Sequence, residues 1–395
     1  MSKTVNISVA NVIEEGRWGG PQKRICLVAE ALKAYDVKTT IFFPRYDSDI
    51  FKQALEKADL DYESLMLHRL GRGLVTLALY TLTFIPEIIL LYRKLRKGQF
   101  DIVHVSGGAW QIKGIIAAKL AGLPVIWHLN DTSMPDVLVM LFRRLGKLAS
   151  GFLYAAIKTQ NYYLQFDALS GYPGYLVPAP VDTVKYNPDS VSPDSLTISY
   201  PGPRLITVCS VNPIKGIEVL IDAVNILRQQ SLSFSLLIIG PIHSSQSNYY
   251  DSLCKKILSL GLDQEVHFLG AKSNIAEQLS SADIYICSSH AEASPLSVWE
   301  AMSMELPVVS TDVGDVSQYI DSGKNGVLVS PGDVISLAKE LQKLMKDSDL
   351  RNRLGHLARQ TVCQYLDTTV IAEITAKAYR DVLDRVNIVE RKSNV

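Results

Sequence analysis

Two carboxylates bracket seven residues in the stretch EASPLSVWE, at Glu292 and Glu300. The run before it, DIYICSS (283–289), is apolar and continuous enough for a buried strand, and HAEA reads as a loop. Ser294 and Pro295 read as a helix start, because Ser is a favoured cap and Pro is tolerated in a first turn. Glu292 then lies at the carboxyl end of a strand. Glu300 lies five residues past Pro295, about 7.5 Å further along the helix axis. The expected separation, on the order of 10 Å, is too wide for the roughly 5–5.5 Å pair of a retaining glycosidase. It suits two groups gripping opposite ends of one extended ligand, with the anion-favouring helix N-terminus between them. A sugar, a diphosphate and a ribose in series would fit. The plain alternative is a loop carboxylate and an unrelated helix carboxylate.

Three other places carry chemistry. In VNPIKG, Lys215 follows a strand and Gly216 permits a turn. A cation is not favoured by the dipole at a helix start, so a ligand anion explains Lys215 better than a structural role does. In GRWGGPQKR (16–24), Gly19 and Gly20 precede Pro21 after the first strand, which allows close backbone approach to a phosphate; a simple tight turn is the alternative. In VIWHLND, His128 ends a strand, with a satisfied structural histidine as its alternative, and Asn130 and Asp131 follow as candidates for an acceptor. His104 in DIVHVSGG reads as structural.

These residues need a scaffold of strand ends. Candidate strands fall at 5–10, 37–43, 101–106, 124–129, 152–157, 204–210, 233–240, 265–270, 283–289, 307–312 and 326–330, with helix-length segments between them. Such alternation means parallel sheets covered on both faces. A stretch with six prolines (177–204) breaks the pattern. The reading is α/β, with two Rossmann-like doubly wound domains facing across a cleft: residues 1–180, a linker at 181–203, and 204–367. The helix at about 368–395 is expected to pack back on the first domain. Ligands in such sheets bind beyond the carboxyl ends of the strands.

The chain's 395 residues are too many for one ordinary core. Lys plus Arg and Asp plus Glu balance at 40 each, which argues against a nucleic-acid binder. Five dispersed cysteines, with no CxxC pair, fit reduced thiols in a cytoplasmic protein. The first twenty residues hold no long apolar run, so no signal peptide is expected. The apolar segment Leu74–Tyr92 is flanked by Arg69, Arg72, Arg93, Lys94, Arg96 and Lys97. It reads first as a core helix and second as a helix that also touches an anionic membrane surface. A true span is disfavoured by Pro86 and Glu87.

Glu292-x7-Glu300 with the following AMSMELPVVSTDVGDVSQYIDSGKNGVLVSPGD resembles the signature of family 4 retaining glycosyltransferases, which have the GT-B fold. VNPIKGIEVLIDAV, DIVHVSGG and YLVPAPVDTVKYNP resemble other motifs of that family, in the same order. The resemblance implies a nucleotide-diphosphate sugar as donor, a glycan or lipid-linked acceptor, and no metal or other cofactor. It implies Glu292 near the reacting sugar and Glu300 on the ribose hydroxyls. The amides of Ala293, Ser294, Leu296 and Ser297 would face sugar and diphosphate, Lys215 the diphosphate, His128 an outer sugar hydroxyl, Gly19 and Gly20 the diphosphate and acceptor, and Lys272 and Asn274 the base. The sequence departs from the family at Ser210, where an Arg is usual, and at Ala293, where Gly is usual. Arg17, Lys23 and Arg24 are candidates for the missing charge. A nucleotide-sugar 2-epimerase and a non-catalytic scaffold with the same fold are the competing readings.

Overall fold

The computed structural model describes residues 6–70, 73–166, 169 and 171–393, the side chains of 389–393 excepted. Arg72 lies outside the described residues. The chain forms two compact units: residues 1–180 with 368–395, and residues 181–367.

In the first unit the strands are β1 (Ile7–Val12), β2 (Val37–Pro44), β3 (Asp61–Leu65), β4 (Ile102–Val105), β5 (Val125–Leu129), β6 (Gly151–Tyr154) and β7 (Gly174–Leu176). They form one sheet in the order β3-β2-β1-β4-β5-β6-β7, with every pairing parallel. In the second unit they are β8 (Arg204–Val208), β9 (Ser235–Ile239), β10 (Val266–Gly270), β11 (Ile284–Cys287), β12 (Val308–Thr311) and β13 (Val327–Val329). Their order is β10-β9-β8-β11-β12-β13, again all parallel. The central strands are buried along their whole length, as parallel strands under helices must be. Both sheets reverse direction of winding once, between β1 and β4 and between β8 and β11. Those two crevices are where doubly wound sheets bind ligands.

Sequence patterning missed two strands, β3 and β7. Both are edge strands, short and half-exposed, so neither carries the continuous apolar run of a central strand. The helix Thr368–Ser393 packs on the first unit, burying Ile371, Ala372, Ala376, Tyr379 and Val382 against one face of the sheet. Residues 181–203, expected as a linker, are instead tied into the second unit. Asp194 N donates to Ser281 Oγ at 2.7 Å, Thr197 Oγ1 to Gln278 Oε1 at 2.6 Å, and Ser303 Oγ to Tyr186 O at 2.6 Å. Proline richness there signalled scarce regular structure, the one-turn helix Ser195–Ile198, and not freedom from packing.

A second expectation also fails. The apolar segment is part of a helix, Leu74–Lys97, but only its later half is a core helix. Glu87, Ile88, Leu91 and Leu95 are buried, with Tyr80 the one buried residue before them among those described, whereas Leu74, Leu82 and Ile85 are 86%, 76% and 61% exposed. Length explains this: 24 residues span about 36 Å, while the four-residue β4 spans about 13 Å. The helix runs back toward β4, so its first turns overhang the carboxyl edge of the sheet. By length and composition it could cross a membrane. Its buried Glu87, ion-paired to Lys113 at 2.6 Å, ties its later half to the core of the first unit.

Candidate active site

The second unit's crevice is built from the loops after β8 and β11. After β8, Asn212 Oδ1 accepts from Ile214 N at 3.1 Å and starts a single 3-10 turn, Pro213–Lys215. Gly216 then takes a left-handed conformation (φ 59°) and opens the helix Ile217–Gln229. A Cβ on Gly216 would lie 2.2 Å from the Ser288 carbonyl, so only glycine lets these two loops touch. The contact places Lys215 Nζ 2.5 Å from Glu292 Oε1, and Ser289 Oγ donates to the same oxygen at 2.8 Å. Burial alone would depress the Lys215 ammonium, but the Glu292 carboxylate outweighs it and holds the pKa above the usual lysine range. Lys215 and Glu292, expected near one ligand, are therefore direct partners of each other. Ser210, in the usual place of an Arg, accepts from Asn212 Nδ2 at 3.1 Å.

After β11 the helix begins at Leu296, with Pro295 in the cap position and no side-chain cap bond. Ser294, expected as the cap, instead accepts from Trp299 Nε1 at 3.2 Å. Pro295 displaces it by one position. Leu296 and Ser297 occupy the first turn with only partial burial, and Ser297 hydrogen-bonds Tyr285. Ala293 is locked: its carbonyl accepts from Asp315 N at 3.0 Å, and a Cβ on Gly314 (φ 58°) would lie 2.1 Å from it. Glu300 is only 3% exposed and is hydrogen-bonded by the Tyr186 hydroxyl. Sequence reading missed Tyr186, although it stands in the KYNP stretch that had been singled out. Asn274 stands at the cap position of the helix Ile275–Ser280 without a side-chain cap bond, its amide donating to the Glu277 carboxylate, and half-buried Lys272 lies in the loop after β10.

In the first unit, Gly19 is extended (φ −169°) ahead of the helix Gly20–Leu32, and Lys23 N donates to its carbonyl at 3.0 Å. A Cβ on Gly19 would make only ordinary contact, with Gln22 Oε1 at 3.5 Å. His128 is the penultimate residue of β5, 4% exposed and stacked on His104 with centroids 5.5 Å apart. Burial first, then Arg24 and His104, hold His128 well below the usual histidine range, so it is a neutral imidazole. His104 Nδ1 lies 2.7 Å from the Tyr379 hydroxyl, the structural role expected of it. Asp131 bonds the Tyr163 hydroxyl and accepts from Ala109 N at 3.4 Å, so it holds the loop after β4.

On the sheet's other face sits a charged cluster that patterning did not flag. Lys113, fully buried, donates to Glu87 Oε2 at 2.6 Å and to the His68 carbonyl at 2.5 Å, with Glu14 Oε2 at 3.8 Å. Burial drives Glu14 up to about 7, against the pull of Lys113. One ammonium faces two carboxylates, and the second is left close to half-protonated at neutral pH. The one signal in the sequence is a lysine inside the apolar run IKGII. Above this cluster opens a cavity of about 400 Å³ lined by Glu14, Glu15, Tyr46, His68, Arg69 and Leu79, among others. Among the described residues no group of three or more His, Cys, Asp or Glu side chains is placed to hold a metal ion.

Comparison with known proteins agrees with this geometry. Residues 18–183 match the model of Glycosyltransferase Family 4, and residues 193–361 that of Glycosyl transferases group 1. EpsD of Bacillus subtilis (strain 168), named as a glycosyltransferase, is 25% identical over 75% of this chain and 83% of its own. The N,N'-diacetylbacillosaminyl-diphospho-undecaprenol alpha-1,3-N-acetylgalactosaminyltransferase of Campylobacter jejuni is 32% identical over 31% of this chain and 32% of its own. Among solved structures, Anabaena Alr3699/HepE in complex with UDP-glucose superposes with a TM-score of 0.80, over 95% of this chain and 100% of that one, at 20% identity. With each unit matched by its own model and the two switch-point crevices in place, the chain belongs to the family 4, group 1 glycosyltransferases and has the GT-B fold.

Proposed function

We propose that the protein is a retaining glycosyltransferase that moves a sugar from a nucleotide-diphosphate donor to a hydroxyl of a lipid-linked glycan, at the cytoplasmic face of a membrane, in surface polysaccharide assembly. The Lys215–Glu292 pair at the β8/β11 switch point carries the reading. A half-buried ammonium there is already poised to meet an anion. As the donor's diphosphate arrives and then leaves, Lys215 and the free amides at Leu296 and Ser297 stabilise the charge that develops on it. Glu292, released from part of its pairing, sits beside the reacting sugar, and the acceptor hydroxyl attacks from the face the diphosphate vacates. Neutral His128 donates or accepts a hydrogen bond at an outer sugar hydroxyl. Glu300, oriented by Tyr186, takes the ribose hydroxyls, Gly19 and Gly20 the diphosphate and acceptor, and Lys272 and Asn274 the base. The chemistry needs no metal.

The acceptor class rests on the first unit. The overhanging helix offers Leu74, Val75, Leu82 and Ile85 to a bilayer, with exposed Arg93, Arg96 and Lys97 further along it for anionic headgroups, while Lys94 pairs with Glu63. The cavity beside its first turns, with carboxylates and the Tyr46 ring, suits a sugar head presented from that surface.

Proton NMR of the product formed from UDP-, GDP- or ADP-glucose with an alkyl glucoside acceptor tests the reaction. An α-linked product, with turnover cut mainly in kcat by Glu292→Gln and mainly in KM by Glu300→Gln, is expected. A β-linked product refutes retention. Equal kinetic profiles in the two variants refute the assigned roles.

A further inference from the structure

One buried cation takes no part in the reading above. Arg24 is 7% exposed, and its Nε and Nη2 have no hydrogen-bond partner. Among the described residues no carboxylate pairs with it, and burial pulls its pKa down to about 10. An uncompensated guanidinium is among the most costly groups a fold can bury.

Its surroundings share the defect. Val9 and Asn11 on β1, Ile102 and His104 on β4, and Ile126 and His128 on β5 alternate onto one face of the sheet, with Asn11 opposite His104. Toward the amino ends that face is apolar, with Val9, Ile102 and Ile126 packed against Val28, Leu32 and Tyr379. Toward the carboxyl ends it turns polar. Asn11 Oδ1, His104 Nε2, Ser106 Oγ and His128 Nε2 are buried there, and none has a hydrogen-bond partner among the described residues. Arg24 sits over this patch, one and two helical turns before Val28 and Leu32, and acts electrostatically on both histidines. Both histidines are neutral, so each leaves a ring nitrogen for a neighbour.

We propose that Arg24, His128 and Ser106, backed by His104 and Asn11, form a binding site for an anionic group of a substrate, a carboxylate or a phosphate. A planar guanidinium with two open donors is the side chain best shaped for either group, and a hydroxyl and an imidazole beside it supply further contacts. The site lies at the carboxyl ends of β1, β4 and β5, where a doubly wound sheet takes ligands. A glycosyltransferase meets such a group in two forms: the carboxylate of a uronosyl donor, or a phosphate on the acceptor. The inference rests on the glycosyltransferase reading only for the source of the anion.

The test compares wild type, Arg24→Met and Arg24→Lys in melting experiments with inorganic phosphate and with D-glucuronate. Sodium chloride at matched ionic strength and D-glucose are the controls. At least one anion should raise the melting temperature of wild type above its control. That shift should be lost in Arg24→Met and retained in part in Arg24→Lys. A phosphate response alone assigns the acceptor's phosphate, and a glucuronate response alone assigns a uronosyl donor. Without anions, Arg24→Met should melt no lower than wild type, because it removes an uncompensated charge. The proposal is overturned if neither anion stabilises wild type beyond its control, if Arg24→Met responds equally, or if Arg24→Met melts lower without anions. Binding of UDP, GDP and ADP to the same samples reports on the glycosyltransferase reading separately. Loss of nucleotide binding with the anion response intact would count against that reading and leave this one standing.

Discussion

The two switch-point crevices are built on one topology but handle charge in opposite ways. In the second unit the ammonium of Lys215 meets one carboxylate, Glu292, at 2.5 Å, and Ser289 completes that oxygen's bonding. Glycines at 216 and 314 lock the loops that carry the pair. In the first unit, among the described residues, Arg24 has no acid and His128 Nε2 has no partner, and Lys113 is shared between Glu87 and a Glu14 left close to half-protonated at neutral pH. In one crevice the Lys215–Glu292 pair is compensated and held in advance of any ligand. The other keeps polar groups buried and short of partners. Buried polar groups are ordinarily satisfied, so the shortfall marks where outside groups are expected.

Breaking the compensated side should have the largest consequence. Lys215→Ala removes the ammonium and leaves Glu292 partly buried and unpaired. Transfer is expected to fall about 10²–10³-fold in kcat, the size of one lost oxyanion donor, with the fold intact. Steady-state kinetics at saturating donor, with a circular-dichroism melt as control, measure it. Near-normal kcat would show that the pair is structural and that the contrast between the crevices has no bearing on catalysis.

The uncompensated side predicts a pH dependence of stability. Glu14 has a folded pKa of about 7 against 4.5 unfolded. Below pH 4.5 both states hold the proton. Between pH 4.5 and 7 the unfolded chain has released it and the folded chain has not, so stability falls as pH rises across that window. At about 1.4 kcal/mol per unit the loss is about 3 kcal/mol. Glu14→Gln should flatten that slope in urea titrations at pH 4.5, 6 and 7.5. An unchanged slope would mean that Glu14 is ionised in the folded protein, and that Lys113 compensates both carboxylates.

Much of this was legible in advance, for reasons that are local. Central parallel strands announce themselves as unbroken apolar runs, which is why β1, β4, β5 and β11 were read correctly and the thin edge strands β3 and β7 were not. Lys215 and Gly216 stood out because each contradicts the ordinary preference of its position. Pairing is what a single sequence withholds. Nothing in it says that Lys215 reaches Glu292 across 77 residues, or that Tyr186 reaches Glu300. The same holds for burial. Leu82 and Lys113 look like a core residue and a surface residue, and the fold reverses both: the helix Leu74–Lys97 overhangs the sheet at Leu82, and its covered half buries Lys113 against Glu87.

The smallest expected effects distinguish what the fold demands from what a ligand demands. Gly314 is needed by the fold: at φ 58° a Cβ would press 2.1 Å from the Ala293 carbonyl and 2.9 Å from that of Glu292. Gly314→Ala should cost about 2 kcal/mol in stability, from the left-handed backbone and the displaced loop. It should lower kcat as well, because that loop carries Glu292. Gly19 is different. Its backbone is extended and its Cβ space is open, so Gly19→Ala should change stability by about 0.5 kcal/mol or less. If the first unit's glycines serve the approach of a diphosphate, Gly19→Ala should still raise the donor KM severalfold with the melting temperature almost unmoved. A Gly19→Ala enzyme with unaltered KM would remove the ligand from that loop and leave a simple turn. A Gly314→Ala protein as stable as wild type would remove the preset character assigned to the second crevice.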